Sequence, residues 1–164
     1  MTTTDPGPGT HGRVVVGVDD TLGGLAALQR AVGLARDSGA PLVAVRSWGL
    51  GLPRHGGHRH RHMGANHLHL VPFFDGAEQS KGSAHLIRLA FMEAMGDVPH
   101  DVNVTIATPE GDPGRVLTEV ASDGDVLVVG TEPDRHLKRL MHGSVSRYCR
   151  EHAQCPVLVV GTAG

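Results

Sequence analysis

Residues Val14 to Val18 form a nearly unbroken β-branched run, interrupted only by Gly17 and closed by Asp19. Apolar side chains on both pleated faces mean cover on both sides, so the run predicts a central strand of a parallel sheet. After Thr21 and the Gly23-Gly24 pair, Leu25, Leu28, Val32 and Ala35 recur at helical spacing until Ser38-Gly39. Pro41 to Trp48 then carries Leu42, Val43 and Val45 as a second strand, completing a unit whose crossover should be right-handed. Beyond a long irregular stretch, Leu86, Ile87, Ala90, Phe91, Ala94 and Met95 mark the inward stripe of a second helix that stops at Gly96. Val102, Val104 and Ile106 alternate with Asn103, Thr105 and Ala107, the pattern of a strand exposed on one face at a sheet edge. Asp112 as N-cap and Pro113 at the first helical position open a third helix, with Val116, Leu117, Val120 and Ala121 inward. Val126 to Val129 is the fourth strand. A last helix places Val145, Tyr148, Cys149 and His152 on one face and ends at Cys155-Pro156, and Val157 to Val160 makes the fifth strand.

Five strands alternating with four helices predict an α/β fold, an open, mostly parallel sheet with helices on both faces in the Rossmann-like manner. The 164 residues suffice for one domain. Its expected bounds are residues 13–162, preceded by a loose tail over 1–12 and carrying a His-rich loop at 53–74. Open sheets of this kind bind ligands outside the carboxyl ends of strands where the strand order reverses. Asp19 and Gly130 each stand at such an end.

Charge and composition remove several classes of function. Fifteen Lys and Arg against seventeen Asp and Glu leave no basic field for nucleic acid or an anionic membrane. With one Trp, one Tyr and three Phe there is no platform for stacking successive bases. Residues 1–12 have neither a basic start nor an apolar core, so the expected location is cytoplasmic, with no membrane partner. Cys149 and Cys155, with five residues between them, match neither a disulfide framework nor a zinc pair and are expected as small buried hydrophobes.

The candidate chemistry lies between Gly130 and Ser146. A buried-looking strand ends at Gly130, twelve residues follow, and Gly143-Ser144-Val145-Ser146 opens a helix. Helix-start N–H groups together with a glycine favour an anion, and Ser144 and Ser146 add hydroxyls. Neither common phosphate-loop signature occurs after the first strand. On residue chemistry alone, Gly130 can equally end a strand and Ser144 cap a helix. No nucleophile, base and orienting acid are brought together by spacing, so no catalytic role is expected.

Gly130-Thr131, the spacing to Gly143-Ser144-Val145-Ser146, the closing Cys155-Pro156-Val157-Leu158-Val159-Val160 and the opening Val14-Val15-Val16-Gly17-Val18-Asp19 resemble the universal stress protein family over nearly the whole chain. The resemblance implies an adenine nucleotide alpha-hydrolase-like sheet and a stress-response regulator that binds ATP or another adenine nucleotide, with Mg²⁺. It assigns Asp19 to the adenosine side, the backbone of Ser47 to the base, and Gly130, Gly143, Ser144, Val145 and Ser146 to the phosphates. It implies a homodimer through the C-terminal strand and a protein partner of unknown identity. In nucleotide-binding members the loop reads Gly, two residues, Gly, nine residues, Gly, then Ser or Thr; here Pro133 replaces the middle glycine, removing an N–H and fixing φ. Asp20-Thr21 stands where the family often has Gly-Ser. The alternative function is therefore a dimeric interaction module of the same fold without nucleotide.

A third reading belongs to Pro53 to Phe74, which holds His55, His58, His60, His62, His67 and His69, half of the chain's twelve histidines. Alternate histidines in an extended segment share a face and can chelate zinc, nickel or copper. The interleaved Arg54, Arg59 and Arg61 oppose a dication, and the run contains no acid. A solvated polar insertion is the simpler expectation, and no metal ligand is assigned.

Overall fold

The β-branched run becomes the middle of the sheet in the computed structural model, which describes residues 12–49, 76–131 and 144–162. In chain order the elements are β1 (Val14–Gly17), α1 (Leu22–Ser38), β2 (Leu42–Val45), α2 (Gly76–Met95), β3 (Val104–Ala107), α3 (Pro113–Val120), β4 (Val126–Thr131), α4 (Ser144–His152) and β5 (Val157–Gly161). The five strands lie in the order β3-β2-β1-β4-β5, and every pairing is parallel. Val14 faces Leu42 on one side and Val126 on the other.

Alternate strand residues feed two cores. Val14, Val16, Leu42 and Ala44 pack with Leu28, Val32, Ile87 and Phe91 of α1 and α2. Val15, Val43, Leu127 and Val129 pack with Val116 and Leu117 of α3 and Cys149 of α4. Val15 and Val16 are fully buried on opposite faces, which is the physical reason their run shows no alternation. Burying each large side chain such as Phe91 or Leu28 contributes about 1.5–3 kcal/mol.

Helix boundaries follow local chemistry. Thr21 caps α1 by accepting from the Gly24 N–H, and the helix stops at Gly39, whose φ of 67° is left-handed. Asp112 caps α3 through the N–H groups of Gly114 and Arg115, with Pro113 in the first turn.

Elsewhere the pattern and the fold part company. Helix α2 begins at Gly76, ten residues before the first of its apolar stripe, because its opening turns are held from outside. Trp48 lies over Gly76, where a Cβ would come 2.8 Å from the indole, and the Ser80 hydroxyl pairs with that of Thr108 at 2.6 Å. Leu86, expected inward, is exposed, as are Leu89 and Met92 on the same outer side. Strand β3 does occupy the edge, with Thr105 exposed, but it starts at Val104; Val102 is buried ahead of it. On α4, Cys149 and Val145 face the core, whereas His152 is exposed and stacks on Tyr148 at 4.0 Å between ring centroids. The helix ends at His152, and Cys155 is only half-buried.

Below the sheet, the amino ends of β1 and β4 are joined by an ion pair. Asp125, 5% exposed, accepts from the Arg13 N–H at 2.7 Å, the Arg13 guanidinium at 2.6 Å and the Ser122 N–H at 2.8 Å. Arg13 also donates to the Val120 carbonyl at 2.9 Å. Burial alone would push the Asp125 carboxyl up, but the hydrogen bonds from Arg13 and Ser122 and the Arg13 charge outweigh it and hold it below the ordinary carboxylate range.

Asp125→Asn should lower stability by about 2–3 kcal/mol at neutral pH, because Arg13 keeps some solvent while the amide replaces only part of the network. Asp125 titrates below the usual value near 3.9, so its contribution is complete above about pH 4 and is lost as pH falls through the folded-state value. Urea midpoints taken from pH 7 to about pH 2.5 should therefore drop more steeply for the wild type than for the variant. Parallel curves would show that Asp125 is not the titrating contributor.

Candidate functional site

Strand order reverses between β1 and β4, since the chain builds outward through β2 and β3 and then returns to the other side of β1. The loop after β1 leads to α1 on one face of the sheet and β4 is followed by α4 on the other. Adjacent strands that send their chains to opposite faces open a crevice at their carboxyl ends, the usual ligand position in such sheets.

Asp19 stands on one lip of this crevice, two residues beyond β1, and is exposed. Its Oδ1 accepts from the Thr21 N–H at 3.0 Å and the Thr21 hydroxyl at 2.6 Å, while that hydroxyl accepts from the Gly24 N–H at 3.0 Å. The carboxylate is thereby oriented by the cap of α1 through one of its two oxygens. A Cβ at Gly24 would collide with Asp19 Oδ1.

Gly130 has a role that its place in the loop motif did not suggest. A Cβ there would lie 2.5 Å from the Gly23 carbonyl oxygen and 2.6 Å from the Gly24 nitrogen, and one at Gly23 would lie 2.5 Å from the Thr131 carbonyl oxygen. The end of β4 and the first turn of α1 thus meet backbone to backbone. The packing needs glycine on both sides whatever ligand binds.

Past β2 the chain continues beside the segment after β3 as a raised lip. Arg46 N–H donates to the Ala107 carbonyl at 3.1 Å, Trp48 N–H to Pro109 at 3.2 Å, and Gly111 N–H to Trp48 at 2.9 Å. The Trp48 indole N–H donates to the Thr108 carbonyl at 2.8 Å. Because Arg46 and Trp48 bond towards β3, the alternation of a parallel ladder turns the backbone of Ser47 the other way, towards β1 and the crevice. Arg46 reaches across to Asp20, with Nη2 3.5 Å from Oδ1.

On the opposite face, α4 begins at Ser144, with Val145 half-buried against the second core and Ser146 buried at 8% exposure. The Tyr148 ring rests on Gly114, in the first turn of α3, which sets the start of α4 at the same end of the sheet as Asp19 and Gly130. Gly143, Pro133 and the His-rich loop lie outside the described residues. Among the described residues, no group of three His, Cys, Asp or Glu side chains could hold a metal, and no helix is long and apolar enough to cross a membrane. Burial pushes the Cys149 thiol up to about 11, so it is no thiolate at neutral pH.

The universal stress protein family model matches residues 10–161. The chain belongs to that family. The universal stress protein UspA from Lactobacillus plantarum has the same fold, at 19% identity and a TM-score of 0.61 over 92% of this chain and 97% of that one. A universal stress protein from Archaeoglobus fulgidus matches with a TM-score of 0.54 at 19% identity, over 91% and 98% of the two chains. A universal stress protein solved in complex with cAMP matches with a TM-score of 0.52 at 19% identity, over 93% and 98%. No curated protein sequence matches the chain.

In this universal stress protein, Asp19, Ser47 and Gly130 gather at one end of the sheet with the start of α4. The pattern reading missed Arg46 and the Gly23-Gly24 seat. The glycine pair directly after a cap is a visible signal of close backbone approach. A lone arginine ending an apolar strand says nothing of a partner 26 residues away.

Gly130→Ala should destabilise by about 3 kcal/mol or more, since backbone on both sides must move, lowering Tm by roughly 6–12 °C for a domain of this size. Gly24→Ala should cost less, because it displaces a side chain. Calorimetric melting of the two variants tests this, and an unchanged Gly130→Ala midpoint would exclude the close contact.

Proposed function

We propose that this universal stress protein binds an adenine nucleotide at the carboxyl ends of β1 and β4 and acts as a non-catalytic stress-response regulator. The observation that carries the reading is the switch point itself, with Asp19 on one lip and the dipole-positive start of α4 on the other. The residues present suit the ligand's chemistry: a carboxylate oxygen for a ribose hydroxyl, the Ser47 backbone for the base edge, and helix-start N–H groups of Ser144, Val145 and Ser146 for phosphate. The cAMP complex of a related fold supports the ligand class. ATP with Mg²⁺ is the proposed physiological form, in the cytoplasm. Binding would stabilise this end of the sheet, and the liganded surface is what a protein partner would read.

A second reading, an interaction module without nucleotide, is favoured by Pro133, which supplies no N–H within the loop motif. Either way the proposed homodimer surface is β5. It is a sheet edge of Val157, Leu158, Val159 and Val160, all half-buried, with apolar side chains on both faces.

With ATP and Mg²⁺ at about a hundredfold excess over Kd, linkage gives about 2.7 kcal/mol, a Tm rise of roughly 5–10 °C. Gly143→Asp should abolish the rise by placing a carboxylate before the helix start. No rise, together with no nucleotide released on denaturing the purified protein, would leave the second reading. For the dimer, sedimentation should show Val159→Lys as a folded monomer; a dimer unaffected by the charge would exclude β5 as its surface.

A further inference from the structure

Trp48 is the only tryptophan of the chain, and it belongs to neither core. Its backbone N–H donates to the Pro109 carbonyl and its carbonyl accepts from the Gly111 N–H, which pairs it with Glu110 in a parallel bridge past the end of β3. Ala44 faces α1 and α2, so Trp48, four residues on, sends its ring to that same side. There the indole lies over Gly76, the first residue of α2, where a Cβ would come 2.8 Å from Cη2. Its N–H donates to the Thr108 carbonyl at 2.8 Å, and the Thr108 hydroxyl meets that of Ser80, one turn into α2, at 2.6 Å. One side chain thus ties together the strip after β2, the strip after β3 and the opening of α2.

A phenylalanine could cover Gly76 as well. Only the indole has an N–H to give to the Thr108 carbonyl. What that bond controls is the neighbouring residue, because the N–H and C=O of Ser47 both turn away from β3 towards the crevice. Adenine presents a donor at N6 beside an acceptor at N7, a pair that one N–H and one C=O can meet together, whereas guanine has acceptors at both N7 and O6. The match depends on where the Ser47 groups stand, since a shift of about 1 Å is enough to lose such a bond.

We propose that Trp48 is a positioning residue for base selection: its indole, held between the Thr108 carbonyl and Gly76, sets the Ser47 backbone where it accepts adenine and refuses guanine. The inference rests on the nucleotide reading above. Trp48 touches no ligand and acts through Ser47. Its loss therefore removes selectivity for the base and leaves the phosphate end, at the start of α4 on the other face, as it was.

The test is isothermal titration of the full chain with ATP and GTP, each with Mg²⁺, for wild type, Trp48→Phe and Gly76→Ala. Wild type should prefer ATP by about tenfold or more. Trp48→Phe keeps a ring over Gly76 and loses the indole bond, so it should weaken ATP about fivefold while GTP stays within about twofold. Gly76→Ala presses on the same indole from α2 without altering it and should lower the ATP preference in the same direction, with a shifted tryptophan emission marking the displacement. Unchanged GTP affinity shows that the fold and the phosphate contacts are intact in the variants. Equal weakening of ATP and GTP, or a wild-type preference retained by Trp48→Phe, would overturn the role of Trp48 while leaving the nucleotide reading standing. Wild type that binds ATP and GTP alike would overturn base selection, and wild type that binds neither would overturn the nucleotide reading itself.

Discussion

Everything at the functional end of this molecule depends on the parallel pairing of β1 with β4. It sets Val14 beside Val126 and Val16 beside Val128, residues more than a hundred positions apart in the chain. Without it the sheet would divide into β3-β2-β1 and β4-β5. The pairing makes β1 the shared wall of both cores and also creates the crevice, because the chains leaving these two neighbouring strands go to opposite faces.

Each end of this strand pair is secured by a different kind of interaction. At the amino end, Arg13 and the buried Asp125 tie the strands through an ion pair and several charge-assisted hydrogen bonds. At the carboxyl end no such ion pair joins β1 to β4 among the described residues. Gly130 meets Gly23 and Gly24 through bare backbone, and the charges there, Asp19, Asp20 and Arg46, are exposed or loosely paired. Rigidity is concentrated where nothing is expected to bind, and exchangeable polar groups where a ligand would be read.

Much of this was legible in the chain. The β-branched run of β1 announced a strand covered on both faces, and Thr21, Gly39, Asp112 and Pro113 marked helix ends through local hydrogen bonding and φ alone. The outer strand β3 showed its edge position in Thr105. Where the reading failed, distant contacts had overridden local pattern. The first turns of α2 have no apolar stripe because Trp48 and Thr108, from two other segments, hold them. His152 carried the helical spacing of an inward residue yet stacks outside on Tyr148, since this short helix turns Val145, Ser146 and Cys149 inward and its last turn runs past the core.

The site divides along the same line. The sequence by itself determined the class of sheet, the family, and which candidate residues stand near its carboxyl end, because periodicity, caps and motif spacing are written within a few turns of chain. Only the tertiary structure decided that β1 and β4 are neighbours, that Gly130 is needed by the packing of α1, and that Arg46 lies across Asp20. Those facts depend on which strands pair and on how closely two backbones approach, and such long-range steric and electrostatic terms leave no local pattern to read.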